Sequence, residues 1–214
     1  YEIRFCDWSS DVCSSDLYSQ NPQIVHEYAA AMITGLQGAT DAADFLRNGH
    51  VIATAKHFIG DGGTFEGRDQ GDNRASEEVL RDIHAAGYTA AISAGVQSAM
   101  ASFSSWQGAK VHGHKGLLTD VLKGRLNFDG LLVGDWNAHG QVEGCSNVSC
   151  AASINAGLDL FMAPEDWREL YENTLAQVRS GQIPMARLDD AVRRILRVKL
   201  RAGLFATGKP STRF

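Results

Sequence analysis

The stretch Asp129-Gly130-Leu131-Leu132-Val133-Gly134-Asp135-Trp136-Asn137 decides the fold. Its apolar run from Leu131 to Val133 predicts a strand buried on both faces, as in parallel sheets. A glycine follows, and then a carboxylate, Asp135, and an indole, Trp136. This arrangement is typical of a site where a carboxylate meets a substrate with an apolar face. Asp after a strand is also common as a helix N-cap or turn residue, so that alternative stays open.

A second stretch, residues 51–64, has the same arrangement. Its predicted strand, Val51–Phe58, ends in Lys56 and His57, and a glycine-rich turn follows. Because parallel strands present their carboxyl ends at one edge, we expect these side chains and Asp135 to share a face. The turn lacks the spacing of a dinucleotide-binding loop and a P-loop lysine, which disfavours a nucleotide site. On its own, a histidine here is more simply a core residue with satisfied hydrogen bonds.

The bulk composition is that of an ordinary globular protein. The chain has 214 residues, of which 44% are hydrophobic and 21% are charged. This length and composition are enough for one sizeable core. The formal net charge of −5 gives no reason to expect a nucleic acid or an anionic membrane as a partner. No apolar run reaches the roughly 20 residues of a transmembrane helix.

Residues 1–17 differ in character from the rest of the chain. They have neither strand-like nor helical periodicity, and the portion Cys6–Leu17 resembles a translated sequencing-adapter remnant. We therefore expect a non-native N-terminal segment and give Cys6 and Cys13 no structural role. A genuine disordered arm would have a similar composition and is the alternative.

The other two cysteines, Cys145 and Cys150, flank a short loop that contains serine and asparagine. We expect a disulfide between them, which implies an oxidising compartment. Two free thiols or part of a metal site are the alternatives, although the spacing is not a common one for zinc.

Strand-like and helix-like segments alternate from residue 18 onward. The predicted strands are residues 51–58, 96–103, 131–133 and 158–162. The predicted helices are residues 22–36, 76–93, 117–126, 151–156, 165–179 and 185–200. Four βα units in series predict a parallel α/β protein, either half of a (β/α)8 barrel or an open doubly wound sheet.

Two further groups of basic side chains are assigned no site. The last predicted helix carries an apolar stripe, and we expect its arginines to be solvated: Arg193, Arg194 and Arg197. A metal-dependent site could be built from Asp135 and three histidines: His112, His114 and His139. These histidines are scattered over loops, and the His112-Gly113-His114 segment is more simply a solvated turn.

Five ordered motifs together resemble glycoside hydrolase family 3, the group of β-glucosidases and β-glucan exohydrolases. They are Lys56–Thr64, Ser102–Gly108, Gly134–Trp136, Ala156–Asp159 and Ile183–Leu196. The resemblance covers residues 18–205 and implies the C-terminal half of a (β/α)8 TIM-like barrel, with residues 206–214 beginning a linker. It also implies that an N-terminal half-barrel and a C-terminal domain of the full-length chain are missing, and that this fragment alone is inactive.

The family resemblance implies an exo-acting, retaining hydrolase. Its substrates would be β-glucans, cello-oligosaccharides or aryl β-glucosides, which lose β-linked glucose from their non-reducing ends without a cofactor or metal. Asp135 is the implied nucleophile, Lys56 and His57 the implied sugar-binding pair, and Trp136 a pocket wall. We also expect Lys56 near Asp135, where its charge would keep the nucleophile ionised. Other implied lining residues are Phe103, which replaces a tyrosine of plant relatives, and Met100 and Met162, for which core packing is the simpler interpretation.

The same resemblance limits the assignment. The acid/base glutamate of glucan-cleaving members lies downstream of the barrel, so no residue of this chain is assigned that role. A sister branch, the β-N-acetylglucosaminidases, carries a histidine in the loop after the Lys-His strand, but Gly60–Gly67 contains none. A catalytically incomplete carbohydrate-binding fragment, or an unrelated enzyme with Asp135 as a base, remains an alternative. The family's usual export agrees with the predicted disulfide, so we expect a periplasmic or secreted full-length protein.

Overall fold

The structure is a computed structural model that describes residues 18–19 and 21–206. Its strands are β1 (Thr54–Phe58), β2 (Asp72–Asn73), β3 (Ser98–Ala101), β4 (Ser105–Trp106), β5 (Ala109–Lys110), β6 (Leu131–Trp136) and β7 (Leu160–Met162). β1, β3, β6 and β7 form one parallel sheet in this spatial order. The strands of this sheet lie side by side in the order in which they occur in the chain. This is the order found in part of a barrel, whereas the strand order of a doubly wound sheet reverses at a switch point. The prediction of four parallel βα units in half a barrel is confirmed.

The helices follow the predicted segments with two changes. They are α1 (Pro22–Gln37), α2 (Glu77–Val79), α3 (Ala86–Ser93), α4 (Ala151–Ala156), α5 (Trp167–Arg179) and α6 (Met185–Arg201). The predicted helix 76–93 is divided by a π-helical turn, Leu80–His84, and the predicted helix 117–126 is the π-helical segment Gly116–Arg125. Single 3-10 turns occupy Asp61–Gly63, Phe65–Gly67, Val111–Gly113 and Ala138–Gln141. Within the described part of the chain, every helix is too short or too polar to cross a membrane.

The helices cover one face of the parallel sheet. In β6, Leu132 is fully buried among Leu118, Leu122 and Leu158, whereas Val133 is only half-buried. The prediction that this strand is buried on both faces is therefore wrong for the described chain. The uncovered face carries three register-matched residues of neighbouring strands: Met100, Val133 and Leu160. Burial alternates along β6 through this point, with Gly134 buried and both Val133 and Asp135 partly exposed, so Asp135 lies on this same face.

A small second sheet lies beyond the carboxyl ends of β1 and β3. β2 pairs with β4, and β4 and β5 form a hairpin. Buried Asn73 ties this sheet to the turn after β1, because its Nδ2 donates to the Gly60 carbonyl at 2.8 Å. Gly60 has a φ of +84°, and a Cβ there would lie 2.8 Å from that same Nδ2. The glycine is therefore required by both the conformation and the close approach.

The amino ends of β6 and β7 are held by a buried ion cluster. The Asp159 side chain is fully buried, and its carboxylate accepts from the Leu132 amide at 2.9 Å and from Lys123 Nζ at 2.6 Å. Arg187 at the start of α6 also pairs with it. The cluster joins the sheet to α6 at the edge opposite the predicted site.

The prediction of solvated arginines on α6 is wrong for two of the three. Arg194 donates to the carbonyls of Phe128 and Gly130 and pairs with Asp190. Arg197 donates to the Asp129 carbonyl at 2.8 Å, and only Arg193 is largely exposed. Carbonyls of the turn before β6 point at this helix face, and a guanidinium can satisfy several of them at once.

Candidate active site

Asp135 lies near the carboxyl end of β6, at the edge of the sheet. Its side chain is 21% exposed, which leaves the carboxylate accessible from the uncovered face. Its Oδ1 accepts a hydrogen bond from the Trp136 amide at 2.7 Å, and Trp136 itself is 39% exposed. The carboxylate and an exposed indole are thus both present at the end of the strand.

His57 lies near the carboxyl end of β1, at the same edge of the sheet as Asp135. The Lys56–His57 and Phe58–Ile59 peptide bonds in this segment are both cis. His57 Nε2 lies 3.7 Å from Asp135 Oδ2, and its Nδ1 lies 3.4 Å from Asp61 Oδ2. The structure therefore brings together the polar residues at the ends of β1 and β6, with one imidazole between two carboxylates.

Lys56 differs from His57 in its contact with Asp135. The Asp135 carboxylate has an ion-pair contact with His57 and, within the described chain, none with Lys56. Lys56 is half-buried in β1, on the strand next to β3. The His57 imidazole is the basic group within ion-pair distance of Asp135, and the expectation that Lys56 lies near this carboxylate stays a prediction.

His112 is a site residue that the sequence did not reveal. It is buried, its Nε2 accepts from the Asp135 amide at 2.9 Å, and its Nδ1 lies 2.9 Å from the Ser102 carbonyl. Burial lowers the pKa of His112 to about 3, so the ring is neutral at ordinary pH. The prediction of a solvated turn is wrong, since the backbone bonds replace the lost water. A lone histidine in a loop gives no sequence signal for such contacts.

Asp61 and two serines complete the polar network. Ser102 Oγ donates to Asp61 Oδ1 at 3.4 Å and shares a 2.7 Å hydrogen bond with Ser104 Oγ. Both serines are fully buried. Asp61 belongs to the glycine-rich motif, but the sequence assigned it no role. The network connects the turn after β1, the end of β3 and the end of β6.

The remaining predicted lining residues lie at or near the same edge. The Phe103 ring centroid is 6.3 Å from that of His112, and Lys110 Nζ lies 5.9 Å from the Phe103 centroid. Met162 is the register partner of Trp136, and its carbonyl accepts from the Asn137 amide at 2.9 Å. Met100 is half-buried on the uncovered face.

The three histidines considered as metal ligands are occupied by backbone groups. His114 Nδ1 accepts from the Leu117 amide at 3.2 Å, and His139 Nε2 lies 2.8 Å from the Asn147 carbonyl. Among residues 18–19 and 21–206, no group of three histidine, cysteine or acidic side chains could hold a metal ion. The described chain thus offers no ligand set for the metal alternative.

The loop after β6 contains a disulfide between Cys145 and Cys150, with Cα atoms 4.7 Å apart. Asn173 on α5 holds this loop by donating to the Val148 carbonyl at 2.9 Å. Cys6 and Cys13, for which no structural role is predicted, lie outside the described residues.

Comparison with known proteins decides the family. The model of the glycosyl hydrolase family 3 N-terminal domain matches residues 5–198. The chain belongs to glycoside hydrolase family 3. A crystal structure of exo-1,3/1,4-β-glucanase from a Pseudoalteromonas species is 56% identical, with a TM-score of 0.90 over 92% of this chain and 25% of that one.

Two curated family 3 relatives extend the comparison. A β-xylosidase of Formosa agariphila is 35% identical over 88% of this chain and 27% of its own length. A periplasmic β-glucosidase of Salmonella typhimurium is 27% identical over 90% of this chain and 25% of its own length. The chain therefore spans about a quarter of the relatives' length.

Proposed function

We propose that the full-length protein is a retaining β-glucosidase of glycoside hydrolase family 3 whose nucleophile is Asp135. The observation that carries the proposal is the position of this carboxylate, at the carboxyl end of β6 and 3.7 Å from His57 Nε2. Carboxyl ends of barrel strands are where barrel enzymes hold their reacting groups. The solved relative named as an exo-1,3/1,4-β-glucanase supports an exo-acting enzyme on β-linked glucose.

The reaction takes two steps. The Asp135 carboxylate attacks the anomeric carbon, the bond to the leaving oxygen breaks, and a protonated acid gives its proton to the departing alcohol. Water, deprotonated by the same acid/base group, then attacks the anomeric carbon and releases both the sugar and the carboxylate. We assign the acid/base to no residue of this chain and expect it in the C-terminal domain.

Sugar binding uses the residues around that carboxylate. Lys56 and His57 would donate hydrogen bonds to hydroxyl groups of the terminal glucose, and Trp136 would offer its exposed face to the apolar side of the ring. Further lining of the pocket is assigned to Phe103, Met100 and Met162. No cofactor enters this scheme.

The expected compartment is the periplasm or the cell exterior. The Cys145–Cys150 disulfide needs an oxidising environment to persist. The Salmonella relative that matches 90% of this chain carries a periplasmic name. Both observations support export of the full-length protein.

A trapping experiment on the full-length protein tests the proposal. Incubation with a 2-deoxy-2-fluoro-β-glucoside that has an activated leaving group should label Asp135, as read by mass spectrometry of the digest. Asp135→Asn should lower kcat on an aryl β-glucoside by at least about 10⁴-fold, because the covalent step is lost. Label on another residue, or an Asp135→Asn enzyme of undiminished activity, contradicts the nucleophile assignment.

Aryl β-xylosides and aryl N-acetyl-β-glucosaminides serve as comparison substrates in the same assay. Preference for the N-acetyl sugar would favour the sister branch, which the histidine-free loop Gly60–Gly67 disfavours. Absence of any hydrolysis by the full-length protein would favour a carbohydrate-binding role.

A further inference from the structure

The ends of β3 and β6 are joined by a side chain where their backbone pairing stops. The last register pair of these strands is Met100 with Val133. Two residues further along, the Ser102 carbonyl and the Asp135 amide do not bond to each other. They bond instead to opposite nitrogens of the His112 ring, each at 2.9 Å. The imidazole therefore bridges the two strands at the residue that carries the proposed nucleophile.

We propose that His112 is a positioning residue for the Asp135 nucleophile. It acts by holding the Asp135 backbone amide, and with it the carboxylate, at a fixed distance from the end of β3. The inference rests on the proposed function, since it needs Asp135 to be the reacting carboxylate. A displacement of about 1 Å in such a group costs about 100-fold in rate, so a backbone anchor of this kind has a measurable effect.

Two glycines near His112 leave room for its contact with the Asp135 amide. A Cβ on Gly134 would lie 3.4 Å from His112 Nε2, in contact with the ring, and 3.2 Å from Leu158 Cδ2, which would have to give way. On the other side, a Cβ on Gly113 would lie 2.7 Å from Val142 Cγ1. Gly134 thus leaves room for the His112 ring beside β6, and Gly113 lets the turn Val111–Gly113 pack against Val142.

The position requires one tautomer of a neutral ring. Nε2 accepts from an amide N–H, so it must carry a lone pair, and the proton must be on Nδ1, which donates to the Ser102 carbonyl. Burial is the main cause that keeps the ring neutral by lowering its pKa. The hydrogen bond to the Ser102 carbonyl acts against burial, and the charges of His139, Lys110 and His57 act with it. A protonated ring would lose the bond to Asp135.

The bond on the other side extends the anchor to β1. The Ser102 amide donates to the Phe58 carbonyl, next to His57, while its carbonyl accepts from His112. The peptide of Ser102 therefore lies between the strand that presents the imidazole and the ring that holds the nucleophile. His112 fixes the two site-bearing strands relative to each other through this one peptide.

Two isosteric variants of the full-length protein separate positioning from packing. His112→Gln places an amide oxygen near the Nε2 position and keeps the bond to Asp135, whereas His112→Asn keeps a donor near Nδ1 and loses that bond. The rate of labelling of Asp135 by the fluoroglucoside should fall about 100-fold in His112→Asn and less than about 5-fold in His112→Gln. KM should change little in either variant. His114→Asn is the matched control, because His114 also accepts a backbone amide but does not contact the site.

The outcomes separate this inference from the proposed function. Equal losses in His112→Asn and His112→Gln, or losses that follow the drop in melting temperature, would show a merely structural histidine. Label on a residue other than Asp135 in the wild type would overturn the proposed function and this inference with it. A ¹⁵N histidine spectrum of the wild type is independent of any variant: it should show an unprotonated Nε2 on His112 from roughly pH 5 to 8. A protonated Nε2 would overturn the anchor.

Discussion

At the scale of single residues, two buried histidines make stability depend on pH. Burial lowers the pKa of His84 to about 4 and that of His112 to about 3, both from 6.5. Below pH 6.5 the unfolded chain binds protons that the folded chain does not, so stability falls as the solution is acidified. His84 alone should cost about 3 kcal/mol by pH 4. Denaturant unfolding at a series of pH values measures this loss.

Substitution identifies the groups responsible. His84→Gln and His112→Gln should each flatten the acid side of the stability profile, because each removes one group that titrates only when unfolded. His26→Gln is the control, since this histidine is exposed on α1. A profile that is unchanged in both buried variants would contradict the assignment.

At the scale of elements, the buried carboxylate of Asp159 holds α6 against the ends of β6 and β7. Lys123 and Arg187 pair with it, and their own side chains are largely buried. Asp159→Ala would remove the fully buried carboxylate and leave these two cations only Asp190, whose side chain is 40% exposed, at a cost of about 3–5 kcal/mol in the free energy of unfolding. Urea unfolding of the full-length protein measures the change.

Another aspartate on α6 provides the matched control. Asp189 pairs with Arg193 at 3.7 Å, and both side chains are mostly exposed. Asp189→Ala should change the unfolding free energy by less than about 1 kcal/mol. Equal effects of the two substitutions would mean that burial of the ion cluster contributes nothing.

At the scale of the whole molecule, the described chain leaves apolar surface and strand edges uncovered. On α6, Val192, Leu196 and Leu200 are 43%, 46% and 66% exposed, although the sequence places them on one stripe. Within the described residues, β1 and β7 each pair with a single neighbour and so form the two edges of the parallel sheet. Exposed edges and apolar patches favour self-association.

The 214-residue chain expressed by itself should therefore associate and bind a hydrophobic dye. Light scattering coupled to size-exclusion chromatography measures the first property, and dye fluorescence the second. The full-length protein, in which further chain can cover these surfaces, is the control. A monodisperse monomer of the short chain without dye binding would contradict the prediction.

The fold was predictable wherever local pattern and packing agree. The four parallel strands follow from apolar runs that end in glycine or polar residues. The predicted helix that begins at residue 76 is capped there, with Ser76 Oγ accepting from the Val79 amide at 3.4 Å. The stripe on α6 is misleading in one respect. It predicts a solvated Arg194 beside it, because nothing local shows that two carbonyls of the turn before β6 face this helix.

The sequence by itself determined the parallel α/β architecture, the family resemblance and the presence of Asp135, His57 and Trp136 at strand ends. Strand periodicity and chain order suffice for this, because parallel strands place their carboxyl ends at one edge. Only the tertiary structure decided which side chains touch: that the His57 imidazole lies 3.7 Å from the Asp135 carboxylate, and that His112 accepts a hydrogen bond from the Asp135 amide. These contacts join residues from three different segments of the chain, and their geometry depends on how the strands are packed rather than on local pattern.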